Sequence, residues 1–449
     1  MPNFLPPKLL SYLRNNQFLS LTGNLVVSGM NVISVSLLFR GLQVADVGLW
    51  VFFLSTIGLV DSFRAGFITT AFIRFYAGTN AARAAEVVGS TWVIALIITV
   101  GLSLLSLIAL LIPQLHQDSG MALFLRWFGI IFWLTLPSFI ATCVLQAELR
   151  FDKILYIRLL TQGLFVLAII MLMLTRQITL ERVVYSNLMA ATITSLLALV
   201  MGWTKFTRIS SKTKECIQEL GRFGKYSIGS YVGSYLLRSS DTFIINFMLG
   251  PAPLAVYNLA QRFMELVEIP LRSTLAIAMP SLSAAANQHN EAEVSRIVKK
   301  NAGMLTWLLI PFVIGTIIFA DIPIYLIGGS KYMDTPAANL LRISMAMAVL
   351  FPIERFFGVT MDIINKPEWN LYKVMLMLFI NIAGDFLGIF LFGNLYGIAY
   401  STPLTIIGGF FFGYYLLNRK IKIPIRDILS QGYMESKLLL SRFLRKQAH

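Results

Sequence analysis

Long apolar stretches alternate with short polar connections along most of the chain. Twelve apolar runs stand out, at 18–39, 47–73, 88–112, 122–147, 154–174, 183–203, 224–249, 254–285, 302–327, 337–364, 371–392 and 394–418. A helix needs ~20 apolar residues to cross a hydrocarbon core, so the pattern predicts an all-α membrane protein with twelve transmembrane helices. The runs starting at 47 and 254 are long and polar in places, as bent or protruding helices are. Pro137, Pro270, Pro311, Pro352 and Pro403 fall inside runs. Membrane helices tolerate such breaks where neighbours or cavity water satisfy the freed backbone groups. Lys8 and Arg14 precede the first run, which is long and is followed by no small-residue cleavage site. It reads as an uncleaved first helix.

The pattern repeats. GLQVADVGLW, from Gly41 to Trp50, follows the first run, and GPAPLAVY, from Gly250 to Tyr257, follows the seventh. An acidic residue stands eleven positions after each aromatic, Asp61 after Trp50 and Glu268 after Tyr257, and Arg64 or Arg272 comes soon after. The expected division is a six-helix lobe at 1–203, a basic cytoplasmic linker at 204–223, a second six-helix lobe at 224–418, and a basic tail at 419–449. An even number of helices per half keeps both halves in one orientation. That is a parallel repeat about an axis along the membrane normal, with a site expected between the halves.

Composition agrees. Of 449 residues, 57% are apolar and 13% charged, with net charge +15; soluble domains carry about 25% charge. A soluble enzyme and a disordered chain are both disfavoured. In a soluble protein the basic excess would suggest nucleic acid; here its placement explains it. With the N-terminus inside, 24 of the 37 Lys and Arg lie in the inside segments, and only Arg40, Arg176, Arg182 and Lys331 lie in outside loops. This bias puts both termini in the cytoplasm. The tail has apolar residues at helical spacing (Ile425, Ile428, Leu429, then Leu438, Leu439, Leu440, Phe443, Leu444). An amphipathic helix on the inner leaflet and a solvated tail both fit.

Candidate enzyme chemistry is sparse. Cys143 lies in an apolar stretch and Cys216 in a basic loop, settings that disfavour a disulfide. His116, His289 and His449 are far apart and make no metal motif. There is no GxxxxGK[ST], GxSxG or HExxH, the signatures of phosphate-cradling and hydrolytic sites, and no cofactor is expected.

Charges inside the runs carry more information, because each costs ~2.5–3.5 kcal/mol at the bilayer centre on insertion scales. The second run holds Asp61 and Arg64, and the seventh holds Arg238 and Asp241. The eighth holds Arg262, Glu265, Glu268 and Arg272, within a stripe about 120° wide. The tenth holds Arg342, Glu354, Arg355 and Asp362, and the eleventh Asp385. One reading is a hydrated cavity whose arginines grip phosphate through bidentate hydrogen bonds and whose carboxylates take up a proton or a sodium ion. The other is ion pairing within the membrane. Both stay open for Asp61–Arg64 and Arg238–Asp241, while the four-charge stripe favours the cavity. Snorkelling accounts for the tenth run, and a hydrogen-bonded core carboxyl for Asp385.

Several segments resemble the polysaccharide-export flippases, including O-antigen flippases, of the multidrug/oligosaccharidyl-lipid/polysaccharide (MOP) superfamily. They are Arg40-Gly41 with Val47-Gly48-Leu49-Trp50, Ser240-Asp241-Thr242-Phe243-Ile244-Ile245 followed by Leu249-Gly250-Pro251, Val256-Tyr257-Asn258-Leu259-Ala260, Ala278-Met279-Pro280-Ser281-Leu282, and Asn365-Lys366-Pro367. The resemblance runs from about residue 15 to 418, and its weight comes from order and spacing. It implies two six-helix lobes arranged as a V. It implies alternating access that moves a polyprenyl-diphosphate-linked oligosaccharide, an O-antigen or other surface repeat unit, from the inner to the outer leaflet of the cytoplasmic membrane. The implied protein is a transporter, not an enzyme. It is expected as a monomer among membrane lipids, coupled to H+ or Na+, and beside polysaccharide polymerase machinery. The candidate substrate-binding residues are Arg64, Arg262, Arg272 and Arg238; the candidate coupling carboxylates are Asp61, Glu265, Glu268 and Asp241. The first run has Asn24 and Asn31 but no arginine, unlike lipid II flippases, and lacks the carboxylate that drug-extruding relatives often carry there. A cation-coupled multidrug antiporter is the alternative. A membrane polysaccharide polymerase or ligase is a further one, disfavoured by the short outside loops.

Overall fold

The computed structural model describes residues 16–113 and 118–447, with the backbone alone at 16–25, 226, 230 and 439–447. The expectations on Lys8, Arg14, His116 and His449 lie outside the described residues, as do those on the side chains of Asn24, Leu439, Leu440, Phe443 and Leu444.

Every regular element among the described residues is helical, as the pattern predicts. In chain order these are α1 (Asn16–Gly41), α2 (Val44–Tyr76), α3 (Ala81–Leu110), α4 (Ser119–Ala147), α5 (Phe151–Leu174), α6 (Leu180–Val200), α7 (Lys214–Leu249), α8 (Pro251–Asn287), α9 (Glu291–Ile318), α10 (Asp321–Gly328), α11 (Ala337–Ala348), α12 (Phe351–Ile363), α13 (Pro367–Phe392), α14 (Leu395–Asn418) and α15 (Ile425–Gln447). Eight of them, α2 to α6, α9, α13 and α14, are long and apolar enough to cross a membrane. At 36 and 37 residues, α7 and α8 are longer still, but the charges on them set them apart from those eight.

Two predicted helices are each two helices. The run at 302–327 breaks between Ile318 and Asp321. There Arg342, from α11, donates its Nε to the Ile317 carbonyl at 3.1 Å and pairs with Asp321 at 2.5 Å. A helix end leaves carbonyls unsatisfied, and this guanidinium satisfies one, so Arg342 is a cap rather than a snorkelling side chain. The run at 337–364 breaks between Ala348 and Phe351, with Pro352 in the first turn of α12. Proline fits there because that turn's N–H groups have no intrahelical acceptor. Pro137, Pro270, Pro311 and Pro403 sit inside continuous helices.

The chain forms two compact units, Met1–Thr242 and Phe243–His449. In the first, Phe72 and Ile68 of α2, Val87 and Trp92 of α3 and Ile140 of α4 form the core. The stretch expected as a linker at 204–223 is ordered. Residues Phe206–Ser211 form a 3-10 helix that packs on α3, where Trp92 Nε1 donates to the Thr204 carbonyl at 3.0 Å. A Cβ at Gly89 would collide with the Arg208 carbonyl, so a glycine is required at this crossing. Cys216 is not in a loop. It is fully buried on α7, within the same core. Further along, α7 lies tightly on α2: Tyr235 packs over Gly58 and donates to the Ser55 carbonyl at 3.0 Å, and Tyr231 packs over Gly66.

At the basic end of this unit, Lys205 Nζ donates to Tyr76 Oη at 2.7 Å and to Glu148, and Tyr76 donates to Glu148 at 2.7 Å. Burial raises the Glu148 carboxyl pKa, but hydrogen bonds from Lys205 and Tyr76 outweigh it and hold it below the ordinary 4.5. Burial lowers the Lys205 ammonium, and the bonds to Glu148 and Tyr76 outweigh that too, holding it above 10.5. A depressed carboxyl stabilises the fold above its unfolded pKa and ceases to as pH falls through its folded value; a raised ammonium does so until pH climbs through its folded value. The melting temperature in detergent is therefore expected to fall below about pH 4.5, less steeply in Glu148→Gln. Identical acid limbs for the two proteins would exclude this cluster as a contributor.

In the second unit, α13 and α14 meet backbone to backbone at Gly388 and Gly397, where either Cβ would collide with the other chain segment. Gly303 of α9 and Gly432 of α15 make a similar crossing. There Lys299 pairs with Asp427 at 3.0 Å, Trp307 Nε1 donates to the Leu429 carbonyl at 2.8 Å, and Ile428 is fully buried. The tail is thus a helix docked along α9 as part of this unit's core, not a solvated segment. Tyr433, Met434 and Leu438 remain exposed on it.

Candidate functional site

The eighth predicted helix is α8, and it follows α7 after the single residue Gly250. That residue has φ 93° and ψ −179°, a conformation essentially confined to glycine. Leu259, Phe263, Val267 and Leu271 are buried along one face of α8. The charged stripe takes another face. Arg262 Nη1 donates to Glu265 at 2.9 Å and its Nε to Asn258 Oδ1 at 3.3 Å. One turn on, Arg272 pairs with Glu268. Glu265 and Arg272 are exposed and Arg262 and Glu268 half-buried. The four charges are therefore two i,i+3 and i,i+4 pairs that cancel as a set, on a face the unit leaves open.

Arg64 is placed differently. Its side chain is 3% exposed, while that of Asp61 is 42% exposed. Its Nη2 lies 2.5 Å from Asp61 Oδ1 and its Nε 2.9 Å. The guanidinium stacks 4.7 Å from the Phe132 ring centre and 4.3 Å from that of Phe139, and Nη1 reaches the Phe132 carbonyl at 3.5 Å. Of the two readings left open for Asp61–Arg64, the pairing one describes this arrangement: Arg64 holds α2 to α4. On α7, Arg238 is exposed and Asp241, three residues on, is half-buried. The structure thus joins six of the sequence candidates in three pairs, each within one helix.

It also contains a buried pair that the sequence did not single out. Lys373 of α13 and Glu354 of α12 are 3% and 5% exposed, with Nζ 2.5 Å from Oε1. Lys373 also reaches the Glu354 carbonyl at 3.3 Å, and Arg355 Nε lies 3.6 Å from the other carboxylate oxygen. A Cβ on Gly358 would come within 2.8 Å of Nζ; a glycine four residues after a glutamate, hence on the same helix face, was the available signal. Asp385 is fully buried and accepts a hydrogen bond from Ser401 of α14, as a core carboxyl does.

The profile of the polysaccharide biosynthesis protein family matches residues 37–336. The chain is 22% identical over 226 residues to the probable low-salt glycan biosynthesis flippase Agl15 of Haloferax volcanii, a match that spans 50% of this chain and only 46% of that protein. Its fold is similar to that of the lipid II flippase MurJ in an inward closed conformation, with a TM-score of 0.72, 14% identity, and 95% and 92% of the two chains covered. It is also similar to an inward-facing multidrug resistance transporter of the MATE family, with a TM-score of 0.71, 17% identity, and 87% and 94% covered. A family profile matching most of the chain shows that this chain belongs to the polysaccharide biosynthesis protein family, and its fold is one shared with MurJ and MATE transporters.

Proposed function

We propose that the protein is a flippase that carries a polyprenyl-diphosphate-linked oligosaccharide, an O-antigen or other surface repeat unit, from the inner to the outer leaflet of the cytoplasmic membrane. Both its termini lie in the cytoplasm. The observation that carries this reading is the open charged face of α8. Arg262 and Arg272 each offer a planar fork suited to a phosphate oxygen pair, and each is held in place by a glutamate. A phosphate and the ionised carboxylate compete for one guanidinium. A diphosphate that displaces Glu265 or Glu268 takes over its arginine. Arg64 and Asp61 act here as a packing pair between α2 and α4.

The test is complementation of a deletion strain. Arg262→Ala with Arg272→Ala is expected to abolish surface polysaccharide while the protein reaches the membrane in normal amount. Full complementation by the double variant would overturn the assignment. The fold likeness to a MATE transporter, with Glu265 more exposed than Arg262, supports a second reading as a cation-coupled multidrug antiporter. That reading predicts drug resistance on expression, lost in Glu265→Gln.

A further inference from the structure

The first unit carries an open cleft of about 740 Å³ at its basic end, within the ~300–1,000 Å³ range of small-molecule sites. The first turns of α3 supply an apolar wall of Ala84, Ala85 and Val88, and the last turn of α6 supplies Leu199 and Val200. Val200 is 83% exposed, an arrangement that leaves the wall open to hydrocarbon.

The remaining lining is cationic. Lys205 and Arg208 border the cleft. An ammonium has three N–H donors. Lys205 gives two, to Tyr76 and Glu148, which leaves one. Glu148 is the carboxylate at hand, and Lys205 and Tyr76 already occupy it. Among the described residues nothing pairs with the exposed Arg208 guanidinium. The N-terminus of α3 also opens here, at Ala81, adding the positive end of a helix dipole. By the distribution of basic residues this end faces the cytoplasm, where anionic lipids attract such clusters.

We propose that this cleft binds one anionic glycerophospholipid of the inner leaflet, its phosphate on Arg208 and Lys205 and an acyl chain along Ala85, Leu199 and Val200. A soluble phosphate would use the cations but not the apolar wall. A zwitterionic lipid would bring its own cation beside two others. A bound lipid would bridge α3, α6 and the 3-10 segment leading into α7.

Native mass spectrometry of the full-length protein, released from micelles after equilibration with phosphatidylglycerol, phosphatidylcholine, an isoprenyl phosphate or inorganic phosphate, tests this. One phosphatidylglycerol per protein is expected to persist. Arg208→Glu should lower its retention about tenfold, and Arg208→Lys should preserve it. Ala85→Phe, which fills the apolar wall, should lower it too. Unchanged thermal unfolding of Arg208→Glu separates lost binding from lost folding. Equal retention of phosphatidylcholine, preferential retention of the isoprenyl phosphate, displacement by inorganic phosphate, or indifference to Arg208→Glu would each overturn the proposal. The readout is binding rather than transport, so its failure leaves the flippase reading standing.

Discussion

Replacing Lys373 with methionine is expected to destabilise the protein by about 3 kcal/mol or more, since removing one partner of a buried ion pair typically costs ~3–5 kcal/mol. Methionine keeps most of the side-chain volume, so the loss reports the charge rather than a cavity. Glu354 would be left with its carboxylate buried, and Arg355, at 3.6 Å with a half-exposed side chain, is the remaining cation near it. This residual partner places the expected value near the lower end of the range. Both residues sit between α12 and α13, and the Lys373 stem also passes Gly413 of α14, so three helices feel the change. Thermal unfolding in detergent should show a large drop. Pairing Lys373→Met with Glu354→Leu should recover most of it, because a buried pair replaced whole by apolar side chains is often neutral. If the single variant melts like the wild type, or the double variant melts as low as the single, the pair is not what holds these helices.

Arg64→Ala is expected to cost about 2 kcal/mol, the scale of a single desolvated cation–π contact, and here two rings lose their cation. Asp61 loses its partner too, but its exposed carboxylate keeps solvent contact, which limits that part of the loss. Arg64→Lys keeps the charge without the flat stack, so it should recover only part of the melting temperature. The same two variants separate packing from substrate binding. A packing role predicts that transport and stability fall together. Transport lost from a protein that melts normally would make Arg64 a substrate contact and return it to the site.

How far the sequence could be read depended on how local each feature is. The crossing helices were legible because hydrocarbon demands nearly uniform apolarity over a whole run. The breaks at 319–320 and 349–350 were not, because Phe319, Ala320, Val349 and Leu350 are as apolar as their neighbours. What ends α9 is an arginine from a later helix. The pairs Asp61–Arg64, Arg262–Glu265 and Glu268–Arg272 follow from three- and four-residue spacing on one helix. Lys373 and Glu354 are 19 residues apart on two helices, and a lone lysine in an apolar run shows nothing of its partner. Cys216 was misplaced for the converse reason. The charges around it suggest a loop, but they lie on the outer side of the first turns of α7.

The contact of α15 with α9 leaves no freedom for sliding. Two glycines set backbone against backbone, with an ion pair and an indole hydrogen bond beside them, so α15 can neither roll nor shift register without a collision. Whatever tilt α9 undergoes, α15 must copy. A spectroscopic label at the exposed Tyr433 would therefore report the movement of α9, a helix long and apolar enough to cross a membrane.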